Sequence, residues 1–281
     1  MKIAALNIYP MKSARGIGVS RAACGPMGLD GDRRALLIEP DGRFITQREL
    51  PALARLSVAP LAGGLALSMA EKGSVVALPG QERLDVTVWK DRLSAALSDN
   101  ATDAILSEWF ERPVRLAFFD SHSARIASRD WVDSDTPVSF ADGYQILVTS
   151  TGSLAALNDD LAAHGEATVG MERFRPNIVV DCDDAFAEDG WTGLTIGDVV
   201  LDFVKPCARC IMTTQDQTTG SREIASPMPA MGRLRMSADR RVPGPLFGWN
   251  AVPRKSGLLS VGDEAVITGM RDAVWQFKKR G

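Results

Sequence analysis

Hydrophobic positions in the first third of the chain recur with a period of two. Residues 2–9 and 17–24 predict strands separated by a polar loop at 12–16. Residues 34–39 and 43–48 predict a hairpin around Pro40, Asp41 and Gly42, whose backbone preferences suit a tight turn. Leu65, Leu67 and Met69 alternate with small or polar neighbours, as do Leu84, Val86 and Val88, so each run turns one face to a core. The period then changes. Ile105, Leu106, Trp109 and Phe110 form one stripe of a helix over 102–111, capped by Asp99 or Asn100 and stopped by Pro113. A strand at 114–119 follows.

Residues 120–137 are polar and irregular, which predicts a division into domains 1–120 and 121–281. The second begins with a strand at 145–149 and a helix over 152–163. Ser150 or Thr151 caps that helix, Leu154, Leu157 and Leu161 supply its buried stripe, and Gly165 ends it. Strands are expected at 177–180, 199–204 and 265–268. Many short strands with few helices predict a mainly β protein of barrels or sandwiches rather than a doubly wound sheet.

Composition narrows the class of protein. With 281 residues, 45% hydrophobic and 24% charged, the chain reads as soluble and globular, with ample core. Apolar runs such as 178–180 are far too short for a bilayer, and no basic segment precedes an apolar one at the start. The expectation is a cytoplasmic protein with no membrane partner. Acids and bases interleave to a net charge of −3, and the denser basic residues at 233–241 and 278–280 read as a solvated face and a tail. No nucleic-acid partner is expected.

The chemistry-bearing residues are few. His122 and His164 are the only histidines, which removes multi-histidine zinc sites and leaves little for a histidine triad. Cys24 and Cys182 stand alone, whereas Cys207, Ala208, Arg209 and Cys210 form a CxxC pair. Zinc needs four ligands, and no second pair exists. A thioredoxin-like pair opens a helix, but here Ile211, Met212, Thr213 and Thr214 follow, a poor helix start. The two thiols can simply pack as small hydrophobes. Arg209 adds a second reading, because a guanidinium stabilises a thiolate and recognises phosphate. One thiolate can hold a thiophilic metal if a large anionic cofactor brings the other ligands. Basic loop residues that could converge on it are Lys12 with Ser13, Arg33 with Arg34, and Arg175 ahead of Pro176 and Asn177. Each of these also reads as a solvated loop charge. The residues alone lead to an anion site with a thiolate.

The motifs together resemble a known family. Tyr9-Pro10-Met11-Lys12-Ser13, Gly28-Leu29 with Asp32-Arg33, and Thr46-Gln47-Arg48-Glu49 resemble the N-terminal β-barrel domain of MOSC (molybdenum cofactor sulfurase C-terminal) proteins. Phe174-Arg175-Pro176-Asn177-Ile178, Glu188-Asp189-Gly190-Trp191, Ile196-Gly197-Asp198, the CxxC pair and Pro245-Leu246-Phe247-Gly248 resemble the MOSC domain itself. The resemblance spans the chain in order and is nearest in pattern to amidoxime-reducing components and bacterial reductases of N-hydroxylated bases.

The resemblance implies an N-terminal MOSC barrel-like domain, then a MOSC β-barrel domain with one or two packed helices. It implies a molybdenum cofactor (Mo-molybdopterin), with Cys210 as the protein's metal ligand and catalytic residue. The matching cofactor contacts are Lys12, Ser13, Arg33, Gly143, Tyr144, Arg175, Asn177, Ala208, Arg209, Cys210 and Asn250. Ala208 stands where relatives often carry Ser or Pro, and Asn250 where they carry Tyr. The implied activity is reduction of amidoximes, hydroxylamines and N-hydroxylated bases. Its electrons would come from a separate donor protein of flavin, ferredoxin or haem type, since no ferredoxin cysteine set follows residue 270. A cofactor or sulfur carrier using Cys210 without turnover is the alternative. In either case Lys12, Ser13 and Arg33 must share a site with Cys210, which predicts a cofactor between the two domains.

Overall fold

The computed structural model describes residues 1–278, so Lys279 and Arg280 of the basic tail lie outside the described residues. The first half contains β1 (Lys2–Ile8), β2 (Ile17–Val19), β3 (Arg21–Gly25), β4 (Gly28–Leu29), β5 (Ala35–Ile38), β6 (Ser57–Leu61), β7 (Gly64–Met69), β8 (Gly73–Ala77), β9 (Arg83–Val88), β10 (Asp91–Leu97), α1 (Asn100–Phe110) and β11 (Arg115–Phe118). The second contains β12 (Ile146–Ser150), α2 (Thr151–Ala163), β13 (Ile178–Asp181), β14 (Trp191–Ile196), β15 (Val199–Ala208), α3 (Met228–Leu234), β16 (Leu246–Lys255), β17 (Gly257–Ser260) and β18 (Ala265–Met270). The protein is mainly β, with two helices packed on the second half. No helix among the described residues is long and apolar enough to cross a membrane.

Eight strands form one sheet in the order β18-β14-β15-β16-β12-β13-β1-β2. Its only parallel pairing within this order is β12 with β13, and α2 supplies the crossover that a parallel pair requires. The sheet curls until its ends meet: Ile3 N donates to Asp263 O, Gly262 N to Ile3 O and Ala265 N to Met1 O, all at 2.9 Å. This closure makes a barrel. Leu6, Ile146, Val148, Ile178, Leu194, Leu201 and Trp249 belong to its buried core. A four-stranded sheet β5-β11-β10-β9 and a three-stranded sheet β6-β7-β8 hold the rest of the first half, and α1 packs Leu106, Trp109 and Phe110 into its core.

The polar stretch at 120–137 ends the first block of strands, but the first 29 residues reach across it. β1 pairs with β13 and β3 pairs with β17. The opening strands thus build the barrel of the second half, and the loops after them lie at the seam between the two sheet systems.

Local signals explain the helices. Asp99 accepts from Thr102 N at 2.6 Å and Ser150 from Ser153 N at 3.2 Å, each satisfying a backbone donor at a helix start. Gly165, at φ +71, follows α2 in the left-handed region. Two strand expectations are corrected. Residues 43–48 do not form a strand: Arg43 and Phe44 make single bridges, and Glu49 N and Leu50 N both return to Thr46 O in a turn. Gln47 Nε2 donates to Ser13 O and Gln47 O accepts from Gln215 Nε2, so this turn is held by tertiary contacts and not by a partner strand. The run at 17–24 breaks at Ser20, because β2 joins the large sheet while β3 pairs with β17. β16 escapes periodicity altogether, since Gly248 and Pro253 interrupt it. Gly248 sits at φ +75, and a Cβ there would come within 2.8 Å of Val148 O.

A bidentate pair, Arg83 to Asp120, ties β9 to the chain leaving β11. Hydrogen bonds from Arg83, opposed by burial and aided by Ser123, hold the Asp120 carboxyl down at about 2. Its contribution is therefore present above the ordinary carboxylate range and is lost as pH falls towards 2. Asp120→Asn is expected to cost about 1–2 kcal/mol at pH 7, with the gap to wild type narrowing below pH 5. Urea unfolding of both proteins at pH 7, 4 and 3 checks this; a gap independent of pH would remove the assignment.

Candidate functional site

Loops from both sheet systems surround one cavity of about 400 Å³. The loop after β1 brings Lys12 and Ser13, the turn after β4 brings Arg33, and the turn at 46–49 brings Thr46 and Arg48. The β9–β10 hairpin brings Trp89. The segment before β12 contributes Asp142, Gly143 and Tyr144, and the approach to β13 contributes Arg175 and Asn177. The end of β15 runs through Lys205, Cys207, Ala208 and Arg209 to Cys210, beside Asn250 of β16. All eleven residues expected at the site line this cavity. Residues 12 and 210 meet there because the chain's first strand is part of the second half's barrel.

The backbone is strained where it meets the cavity. Seven non-glycine residues among those described have positive φ, and four of them, Ser13, Arg33, Trp89 and Arg175, are in the lining. The left-handed region costs an L-residue about 1 kcal/mol or more, and such strain concentrates where side chains must be aimed.

The side chains form a cationic wall. Arg33 and Arg175 sandwich the buried Tyr9 ring, with guanidinium carbons 4.4 and 4.2 Å from its centroid. Arg33 Nη1 donates to Asp32 at 2.5 Å and to Asn177 Oδ1 at 2.9 Å, and Arg175 Nη1 donates to Gln217 Oε1 at 3.1 Å. Burial pushes Arg175 down to about 10 and lifts the Tyr9 phenol to about 12, so both hold their protons at neutral pH. Lys12, 5% exposed, donates to Phe140 O at 2.8 Å and to Asp142 Oδ1 at 2.5 Å. Burial lowers its pKa and Asp142 opposes that shift. Lys12, Arg33, Arg48, Arg175, Lys205 and Arg209 face the cavity against one carboxylate, Asp142, among the described lining residues.

Each thiol of the CxxC pair has its own guanidinium. Arg209 Nη1 donates to Cys207 Sγ at 2.9 Å and Nη2 to Phe174 O at 2.7 Å. Arg209 Nε is buried with no hydrogen-bond partner among the described residues. Arg48 Nη2 donates to Cys210 Sγ at 3.2 Å, while the Arg48 guanidinium stacks on Trp89 with a 4.8 Å separation.

Several expected residues act through structure. Asn177 Oδ1 accepts from Arg33 and from Leu147 N, and Nδ2 donates to Asn7 O, so the amide chiefly positions Arg33. The Tyr144 hydroxyl donates to Ser128 O, and Asn250 Nδ2 donates to Lys205 O. Ala208 pairs with Leu246 between β15 and β16 and offers no polar side chain. Arg48, Trp89, Asp142 and Lys205 were not among the residues expected from sequence. Arg48 lay inside a quoted motif, so only that one had a sequence signal. Among the described residues no group of three or more His, Cys, Asp or Glu converges as a metal cluster.

A barrel that takes in the first strands of the chain and stands against smaller sheets, with a pair of thiols amid arginines at the seam, defines a MOSC-type protein. The chain belongs to this family: the MOSC N-terminal beta barrel domain matches residues 1–113 and the MOSC domain matches residues 135–266. Among its relatives is human mitochondrial amidoxime-reducing component 1, 33% identical over 284 residues, covering 95% of this chain and 83% of the relative. The Macaca fascicularis mitochondrial amidoxime reducing component 2 is 32% identical over 280 residues, covering 93% and 82%. The mouse component 1 is 31% identical over 284 residues, covering 95% and 82%.

Proposed function

We propose that this protein is a molybdenum-cofactor oxidoreductase that reduces N-hydroxylated compounds to the corresponding N–H compounds. The observation that carries the reading is the cavity itself: two half-buried thiols, Cys207 and Cys210, in a wall with five more cations than anions, six against one. That donor set fits a cofactor bearing sulfur and phosphate. Lys12, Arg33 and Arg175 match phosphate, and Ser13, Asn177 and the backbone at 143 and 208 match polar edges of a pterin. Arg209 Nε is a buried donor that lacks an acceptor among the described residues. Soft thiolate suits a thiophilic metal, and Cys210 would be its one protein ligand.

The chemistry this cofactor supplies when bound is the two-electron change that cleaves an N–O bond. The overall reaction takes up two electrons and two protons and releases water. Within it the protein holds and orients. Arg48 holds the Cys210 sulfur, while Thr213 N and Oγ1 both donate to Cys210 O at 3.1 Å and fix its backbone. The Tyr9 stack keeps Arg33 and Arg175 extended into the cavity as fixed positive charges. Electrons come from a separate donor protein.

The test is molybdenum content per chain, by elemental mass spectrometry, after production in a host that makes the cofactor. It is combined with hydroxylamine reduction driven by a chemical electron donor. Near-stoichiometric metal with turnover is the expected result. Metal without turnover would favour the carrier reading, and neither would remove the cofactor.

A further inference from the structure

A second cavity of about 670 Å³ adjoins the first, and its walls include Phe44, Thr87 and Ile126. Trp89, Asp142 and Gly143 line both cavities. The accessible surface of the second is mainly apolar. Trp89 and Ile126 are 44% and 47% exposed, and Phe44 meets the Trp89 ring edge-on at 5.0 Å. Two of its charged residues are already engaged. Arg43 pairs with Glu39 and Glu49, and Arg125 with Asp91 and with the carbonyls of Ser139 and Ala141. Surface apolar residues scattered singly need no explanation, but an aromatic-lined cavity adjoining the one that holds the thiol pair does.

The junction is built from three unlike residues. Trp89 occupies φ +58 between β9 and β10, in a two-residue connection where Gly, Asn or Asp is favoured. A large ring is held there despite the strain, with Nε1 donating to Asp142 Oδ1 at 3.2 Å. The space beside Gly143 is open, since a Cβ added there would meet nothing within 4 Å. Asp142 is the residue that an anionic cofactor does not call for. Lys12 and Trp89 both engage its Oδ1, Oδ2 accepts no hydrogen bond among the described residues, and the side chain is 63% exposed. The protein crowded around this exposed carboxylate works against its ionisation, but Lys12 outweighs this and keeps the carboxyl well below the usual range.

We propose that the second cavity is a substrate chamber that takes the flat apolar body of an amidine- or guanidine-type N-hydroxylated compound. Its N–H-bearing head pairs with Asp142 Oδ2 and passes Gly143 towards Cys210. This rests on the reductase reading and deepens it, because it assigns recognition to Trp89, Ile126 and Asp142. A compound with no body, such as hydroxylamine, gains nothing from the chamber, whereas an aryl amidoxime fills it.

The experiment compares wild type and Ile126→Arg, both cofactor-loaded, with benzamidoxime and hydroxylamine as substrates. Calorimetry with benzamidine, the unreactive amidine, gives a readout independent of turnover. Ile126 is half exposed, so the substitution leaves the core intact. The ratio of kcat/KM for benzamidoxime to that for hydroxylamine is expected to fall about tenfold, the scale on which apolar pockets discriminate. Benzamidine affinity is expected to fall in parallel, and Asp142→Asn should weaken it too. An unchanged ratio overturns the proposal, as does wild-type enzyme that reduces hydroxylamine yet binds no benzamidine. Benzamidine binding that depends on Ile126 in a protein with no reductase activity keeps the chamber and removes the reductase reading.

Discussion

Under the proposed cofactor reading, Cys210→Ala is expected to lose molybdenum and, with it, more than about a hundredfold of turnover. The expectation follows from the donor set: both thiols of the pair line the cavity where the cations converge, Arg209 engages Cys207, and Cys210 is the one held by Arg48. Loss of a partner that merely orients a metal ligand costs 10–100-fold, so removal of the ligand itself exceeds that range. A methyl group offers no soft donor, and Arg48 is left with its Nη2 facing an empty position. The fold should persist. Cys210 is half-buried, and its backbone contacts to Thr213 do not involve the sulfur. Molybdenum per chain, thermal melting and hydroxylamine reduction, measured together, separate these effects. Full metal content in the variant would exclude Cys210 as an essential ligand while leaving the cofactor in place.

The largest stability effect is expected at Asp189, far from any chemistry. Asp189 receives Arg235 Nη1 and Nη2 at 2.6 and 2.8 Å and the Trp249 indole Nε1 at 2.8 Å. The ion pair is closed from solvent, with side chains 5% and 6% exposed, and the Arg235 guanidinium lies 4.1 Å from the rings of both Phe186 and Phe277. Asp189→Ala would leave a buried guanidinium without its counter-charge and an indole N–H without an acceptor. Breaking such a pair from one side costs about 3–5 kcal/mol. Urea unfolding should show a large loss in midpoint, or the variant should fail to accumulate as folded protein. The double variant Asp189→Leu with Arg235→Met should recover part of the loss, because removing both charges also removes the desolvation penalty. A single variant as stable as wild type would mean that water reaches this pair.

These two residues illustrate how differently sequence motifs can be spent. The Glu188-Asp189-Gly190-Trp191 motif helped to identify the family, and its role here is architectural. Glu188, buried and with its pKa raised by that burial, accepts from Ser150 and Ser153 at the start of α2, while Asp189 anchors Arg235 and Trp249. The Cys207–Cys210 motif, by contrast, is placed where its sulfurs reach the cavity. Nothing in the local spelling of either motif separates the two roles. Burial separates them, and burial is a property of the closed barrel.

Periodicity was legible wherever one face of a strand or helix is wet and the other dry, as in β1, β7, β9 and α1. The caps at Asp99 and Ser150 were legible because a side chain there meets a backbone donor two or three residues away. The motifs of the family were legible as an ordered set, and with them the residues that gather around Cys210. The tertiary structure alone decided how the site is finished. Arg48 and Cys210 are 162 positions apart, and their contact depends on a turn held by Ser13 and Gln215. Trp89 and Asp142 meet only because the β9–β10 hairpin and the segment before β12 arrive at the same seam. Alternation and capping are written in near neighbours, since they report which local conformation hides apolar atoms and satisfies backbone groups. A cavity is made of residues from distant segments, and its shape exists only once the sheet has closed and the strained loops have been pinned in place.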